Sequence, residues 1–210
     1  MKSLKRYLLI LVSVVLLIPI YNSCKKGPED PAFSIYSRKH RLCQDWDFSY
    51  YKKVVQHNDV VFYYEFDGSS LKKIESGGVT VSAATMNLSF KNDGGYLWEQ
   101  TITTDTSYYT YSEEGHWYFT GGGKDSDTKY KELVALQKTK VTETLQSDGH
   151  TNTTTYFGSG DLDAMVFKII ELSSKEVKLK SELQTNSVQS NPEQSDLQVL
   201  TILITLTKSS

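Results

Sequence analysis

From residue 45 onward the chain is written in short stretches where apolar and polar residues alternate, the period of a strand with one buried face. D-W-D-F-S-Y-Y at 45–51 sets Trp46, Phe48 and Tyr50 against Asp45, Asp47 and Ser49. V-V-F-Y-Y-E-F at 60–66 repeats the pattern with Phe62, Tyr64 and Phe66. M-N-L-S-F at 86–90 does the same with Met86, Leu88 and Phe90, then K-N-D-G-G supplies turn chemistry and Y-L-W-E-Q-T-I-T returns, which predicts a hairpin. Two more are predicted further on: 107–112 with 116–121 around Glu113, Glu114 and Gly115, and V-T-E-T-L with T-T-T-Y-F around Q-S-D-G-H-T-N. Near the end Val177, Leu179 and Leu183 alternate with Lys178, Lys180 and Glu182, and their partner strand sets Leu200, Ile202, Ile204 and Leu206 on one face. The polar run at 184–196 between them reads as a long loop. Residues 129–140 mix helix-forming residues with a strand-like continuation into K-V-T-E-T-L and no cap; strand is the reading taken here.

About ten strands in series, with no convincing amphipathic helix, must hide their edges, and closure does so. The expected fold is therefore all-β, an antiparallel up-and-down barrel or strongly curved sheet, over residues 37–210.

The first 36 residues follow other rules. Lys2, Lys5 and Arg6 precede an almost unbroken apolar run at 7–20, shorter than a membrane span and of the length of a secretory signal. The run ends in I-P-I-Y-N-S-C, and Ser23-Cys24 resembles the lipobox junction of a bacterial lipoprotein, in its relaxed Bacteroidota-type form. An uncleaved anchor or a signal peptide cut elsewhere is the alternative reading. On the lipoprotein reading 1–23 is a signal peptide, Cys24 is the lipidation site carrying palmitate-type chains, and 24–36 is a flexible Gly/Pro-containing tether. More than one acyl chain holds a protein firmly to a membrane without a spanning helix. Lys25, where the resembled lipoproteins carry Asp for inner-membrane retention, directs the expectation to the outer membrane of the cell envelope, with surface exposure left open.

Charge and cysteine content narrow the rest. Without residues 1–23 the chain has 20 basic and 25 acidic residues, a net of −5, which argues against nucleic acid as a partner. Cys43 is the sole remaining cysteine once Cys24 is acylated, so no intrachain disulfide is available and the core alone must hold the fold.

No catalytic signature is found. F-T-G-G-G-K-D-S at 119–126 lacks the first glycine and the Ser/Thr after lysine that a phosphate-binding loop needs. Asp125 and Asp127 have calcium-loop spacing, but Lys129 takes the third ligand position. His40, His57, His116 and His150 are not spaced as zinc pairs, and Cys43 reads as a small buried residue rather than a nucleophile. The expectation is a non-enzyme with no cofactor and no metal.

The order of motifs resembles the lipocalin-like family of bacterial lipoproteins. Leu42, Trp46 and Phe48 match its first strand, with Gln44 where glycine is usual; Phe90, Asp93 and Gly94 match a strand end. Gly115, Trp117 and Phe119 match a strand start, and Ile169, Leu172, Val177 and Leu179 the closing pair. The resemblance implies a small barrel whose interior holds an apolar or amphipathic ligand. Trp46, Trp98 and Trp117 sit on apolar strand faces and are the candidate ligand-binding residues, core packing being the plainer reading. Tyr108, Tyr109 and Tyr111 cannot all face inward, so one ring at least is exposed. The alternative function is an interaction module that binds a protein or glycan through exposed aromatic strands.

Replacing Cys24 with Ala is expected to leave an unprocessed precursor and to abolish labelling of the chain by a fatty-acid probe in cells; unchanged labelling would contradict the lipoprotein reading.

Overall fold

The computed structural model describes residues 36–57, 60–75, 77–121, 132–158, 164–188 and 195–209. Cys24, the signal peptide and nearly all of the tether lie outside the described residues. A short helix, α1 (Arg38–Leu42), leads into eleven strands: β1 (Asp45–His57), β2 (Val60–Phe66), β3 (Ser70–Glu75), β4 (Gly78–Phe90), β5 (Gly95–Thr103), β6 (Ser107–Thr120), β7 (Leu133–Ser147), β8 (His150–Phe157), β9 (Ala164–Leu172), β10 (Glu176–Val188) and β11 (Ser195–Lys208). All pair antiparallel in the order β6-β5-β4-β3-β2-β1-β11-β10-β9-β7-β8, and a further β6–β7 pairing closes the sheet into a barrel.

The two ends of the barrel differ. At one end β1 pairs directly with β4 through Asp45–Asp47 and Asn87–Ser89, and β7 pairs with β9 through Leu133–Gln137. That makes a closed ring of eight strands. At the other end the β2–β3 hairpin is wedged between β1 and β4, and β7 pairs with β8 from Lys140 to Ser147. Eight strands enclose an interior just wide enough for side chains to fill, whereas the added strands widen the second end beyond what its side chains fill.

The narrow end is solid. Trp46, Leu88, Ile169, Leu172, Val177, Leu179, Ile204 and Leu206 are all at most 1–2 % exposed. The helix missed by periodicity, too short to show a 3.6-residue repeat, plugs this end: Ser37 caps it by accepting from the His40 N–H, and the Trp46 indole N–H donates to the Leu42 carbonyl at 2.9 Å. The Arg41 guanidinium donates to the Leu172 carbonyl, and the Gln44 amide, standing at the motif's glycine position, donates to the Arg41 carbonyl at 2.7 Å.

Three expectations are corrected. Residues 107–120 form one strand, not a hairpin: the register shift opposite Glu114 and Gly115 is a bulge on β7, where Thr139 is the extra residue. Gly115 serves close packing there, since a methyl group would overlap the Gln137 carbonyl and stand 2.6 Å from the Tyr96 ring. The polar run at 184–196 is not all loop, because β10 and β11 stay paired from Gln184↔Val199 to Val188↔Ser195; backbone ladders need no apolar side chains. Leu183 is 45 % exposed although it shares the face of Val177 and Leu179, because it lies beyond the filled end. The other two hairpins are present, and the one at Asp148-Gly149 uses positive φ at both residues (52° and 77°), as a type I′ turn requires.

Ile204→Ala is expected to destabilise the protein by about 2–5 kcal/mol, and Gly115→Ala by about 1–3 kcal/mol through overpacking. Lys180→Ala, on the solvent face, should stay within about 0.5 kcal/mol. Thermal melts of the three variants check the assignment of faces.

Candidate functional site

A cavity of about 430 Å³ occupies the interior on the wide side of the solid core. Its floor is apolar, formed by Leu71, Trp98, Leu136, Phe167 and Ile202, with Ile102 and Met165 higher up. Its upper wall is polar: Tyr51, Lys53, Tyr64, Gln100, Tyr109, Tyr111, Glu113, Lys138 and Glu143. Volumes of about 300–1,000 Å³ with mostly apolar walls and a few placed polar groups are typical of small-molecule sites.

Bulges aim these residues inward. In β1, Phe48 faces Leu206 and Tyr50 faces Thr205, so Ser49 is the extra residue. Continued alternation from Trp46 and Phe48 would turn Tyr50 and Lys52 inward; the bulge turns Tyr51 and Lys53 inward instead. Tyr50 consequently donates to Glu65 at 3.2 Å, and Lys52 lies 4.7 Å from the centre of the Tyr63 ring, both away from the cavity. Thr139 does the same in β7, so that Leu136 and Lys138 before it and Glu143 after it all line the cavity.

The tyrosines satisfy the carboxylates by hydrogen bonding. Tyr96 reaches across Gly115, its cross-strand partner, to donate to one oxygen of Glu113 at 2.7 Å, and Tyr111 donates to the other. Burial, and then the Glu113 charge, hold the Tyr96 and Tyr111 hydroxyls well above the usual phenol range. Tyr109 is pushed up to about 12 by burial and by Glu143, to which it is hydrogen bonded. Tyr51 is raised mainly by burial. These phenols are therefore neutral donors at physiological pH.

The lysines are placed differently. Burial pushes the Lys53 ammonium below its ordinary range, and the Lys138 charge pushes it further the same way. Lys53 lies 5.9 Å and Lys73 5.8 Å from the centre of the Tyr64 ring, which both cations share.

The three candidate tryptophans are not gathered around the cavity. Trp98 lines it, tilted against Phe48 at 5.0 Å and edge-on to Tyr51 at 6.0 Å. Trp46 and Trp117, 0 % and 5 % exposed, lie in the solid core. Trp117 packs edge-on between Phe90 and Phe119 and donates to the Lys91 carbonyl at 2.9 Å, fastening the β4–β5 turn. Cys43 makes a 3.6 Å contact to the same carbonyl, and burial raises its thiol pKa. Of the three tyrosines, Tyr108 is the exposed one and Tyr109 and Tyr111 line the cavity. Lys53, Glu113, Lys138 and Glu143 were not legible as site residues, because two sit beyond a bulge from the apolar residues that define the inward face.

No family model and no curated protein matches the chain. Among solved structures it is similar to a polyisoprenoid binding domain from Saccharophagus degradans implicated in plant cell wall breakdown. Identity is 9 %, with 80 % of this chain and 99 % of that chain covered and a TM-score of 0.30. At that score the likeness carries no weight for ligand or mechanism.

The depressed Lys53 pKa gives a pH test. Protonated Lys53 is less comfortable folded than unfolded, so it lowers stability at neutral pH, and the penalty vanishes as pH rises towards the ordinary lysine pKa of about 10.4. Lys53→Met should therefore melt above the parent at pH 7, with the gap closing by about pH 10–11. Both proteins share the alkaline loss from the raised tyrosines, so the difference in melting temperature is the quantity to follow.

Proposed function

We propose that the protein is a membrane-anchored cell-envelope lipoprotein whose barrel binds a small apolar or amphipathic molecule in the internal cavity. One observation carries the binding reading: the barrel is filled at its eight-strand end and hollow where β2, β3 and β8 are added, with an apolar floor and a polar upper wall. A ligand entering this space gains about 25 cal/mol for each Å² of apolar surface removed from water. The anchor rests on the Lys/Arg-flanked apolar run and the Ser23-Cys24 junction, and the motif order supports membership of the lipocalin-like lipoproteins. On this reading Cys24 fastens the protein to the membrane, Lys25 in the place of a retention Asp directs it to the outer membrane, and the tether holds the barrel off the lipid.

A second reading has its own observation. β8 is exposed along its length, ends the strand order with an edge that has no partner strand among the described residues, and turns Tyr156 and Phe157 to solvent. That edge suits strand addition by a protein, or stacking on a glycan.

Nile red titrated into the full-length chain, held in a non-ionic amphipathic polymer, should show a saturable emission increase. Ile102→Trp, which narrows the cavity, should weaken that increase in the same medium without lowering the melting temperature. Equal dye response in both proteins would overturn the cavity reading and favour the interaction module.

A further inference from the structure

The groups facing the cavity divide into satisfied acceptors and unsatisfied donors. Both oxygens of Glu113 accept tyrosine hydroxyls, from Tyr96 and Tyr111, and Glu143 is hydrogen bonded by Tyr109. Lys53 and Lys138 have no carboxylate within ion-pair distance among the described residues, although both line the cavity. The indole N–H of Trp98 is buried without an acceptor among the described residues. An ammonium group without an acceptor gains a charge-assisted hydrogen bond when an anionic oxygen reaches it.

Their placement is convergent. In the ring of eight strands at the closed end, β1-β4-β5-β6-β7-β9-β10-β11, β1 and β7 are four steps apart in either direction. Lys53 and Lys138 therefore approach from opposite walls. They are near enough for the charge of one to disfavour protonation of the other. Trp98, on β5, stands midway between those walls. Beneath them lies the apolar floor of Leu71, Leu136, Phe167 and Ile202.

We infer that the ligand is an amphipathic anion, whose carboxylate or other oxyanion head sits between Lys53 and Lys138 and whose apolar chain runs down onto the floor beside Trp98. This rests on the cavity reading above and narrows it to one charge type. An anion satisfies both ammonium groups at once. A cation would meet two like charges, with the carboxylates already engaged by tyrosines. A neutral alcohol would leave the two lysines unpaired.

Three amphiphiles of equal chain length separate these cases: decanoate, decanol and decyltrimethylammonium, each below its micelle concentration. Displacement of Nile red from the full-length chain, in the same non-ionic polymer, is the readout. Decanoate should bind about tenfold or more tighter than decanol, and decyltrimethylammonium weakest. The double variant Lys53→Met/Lys138→Met should bring decanoate down to the affinity of decanol while leaving decanol unchanged, which also reports that the cavity is intact. Lys53→Arg should keep the preference. Equal affinity for decanoate and decanol in the parent, or a preference that survives the double variant, would overturn the anion inference while leaving a binding cavity. Binding of none of the three would overturn the inference together with the cavity reading.

Discussion

Every strand of a closed barrel must keep its apolar residues inward, yet the chain delivers them with a period of two that any inserted residue reverses. Three inserted residues set the inward face of this protein: Ser49 in β1, Thr139 in β7 and Ile170 in β9, where the register moves from Glu171↔Lys178 to Ile169↔Leu179. The third lets Phe167, Ile169 and Leu172 share one core despite their unequal spacing. The first two act where the core ends. Below Ser49 the inward residues of β1 are Trp46 and Phe48; above it they are Tyr51 and Lys53. The filled end and the polar cavity wall are thus two faces of one strand, joined at a bulge.

Width explains why the bulges produce a cavity and not merely a mispacked core. Side chains of similar size fill an eight-strand ring, and the β2–β3 hairpin then enlarges the circumference without adding enough inward bulk. Leu71 extends the apolar floor from that hairpin and Phe66 is buried in the core, while Tyr64 already belongs to the polar wall. Polar residues survive there because they hydrogen-bond one another. Gly115 has a specific part in this: lacking a side chain, it lets Tyr96 cross to Glu113, so a glycine permits the hydrogen bond of a carboxylate two residues away on the same strand.

The residues that were readable in advance are those whose environment follows from alternation alone. Met86, Leu88 and Phe90, or Ile202, Ile204 and Leu206, lie in unbroken ladders and are buried as their spacing predicts. Antiparallel closure was readable for the same reason. The cavity wall was not, since a lysine in a strand reads as solvent-facing and nothing local marks Ser49 or Thr139 as extra residues. Glu113-Glu114-Gly115 misled in the opposite sense: two charges and a glycine carry turn chemistry, and only the partner strand shows that Thr139 bulges instead. The tryptophans were similarly ambiguous. All three occupy inward positions, but height along the barrel, which depends on register and not on pattern, separates Trp98 at the cavity from Trp46 and Trp117 in the core.

Conflict with local rules is informative when it is confined to one place. At the cavity that conflict is carried by Lys53, a half-buried lysine disfavoured by burial and by a second lysine that lines the same space. It lowers the stability of the empty barrel, and the arrival of an oxyanion between the two lysines relieves it. A ligand that binds only the folded state stabilises it in proportion to the logarithm of its concentration over Kd. The solid end, plugged by α1 and held by Trp46 and Leu42, can fold without that contribution. The fold therefore separates its two requirements along the barrel axis, with apolar packing in the eight-strand ring and the two cavity lysines at the widened end where a ligand can reach them.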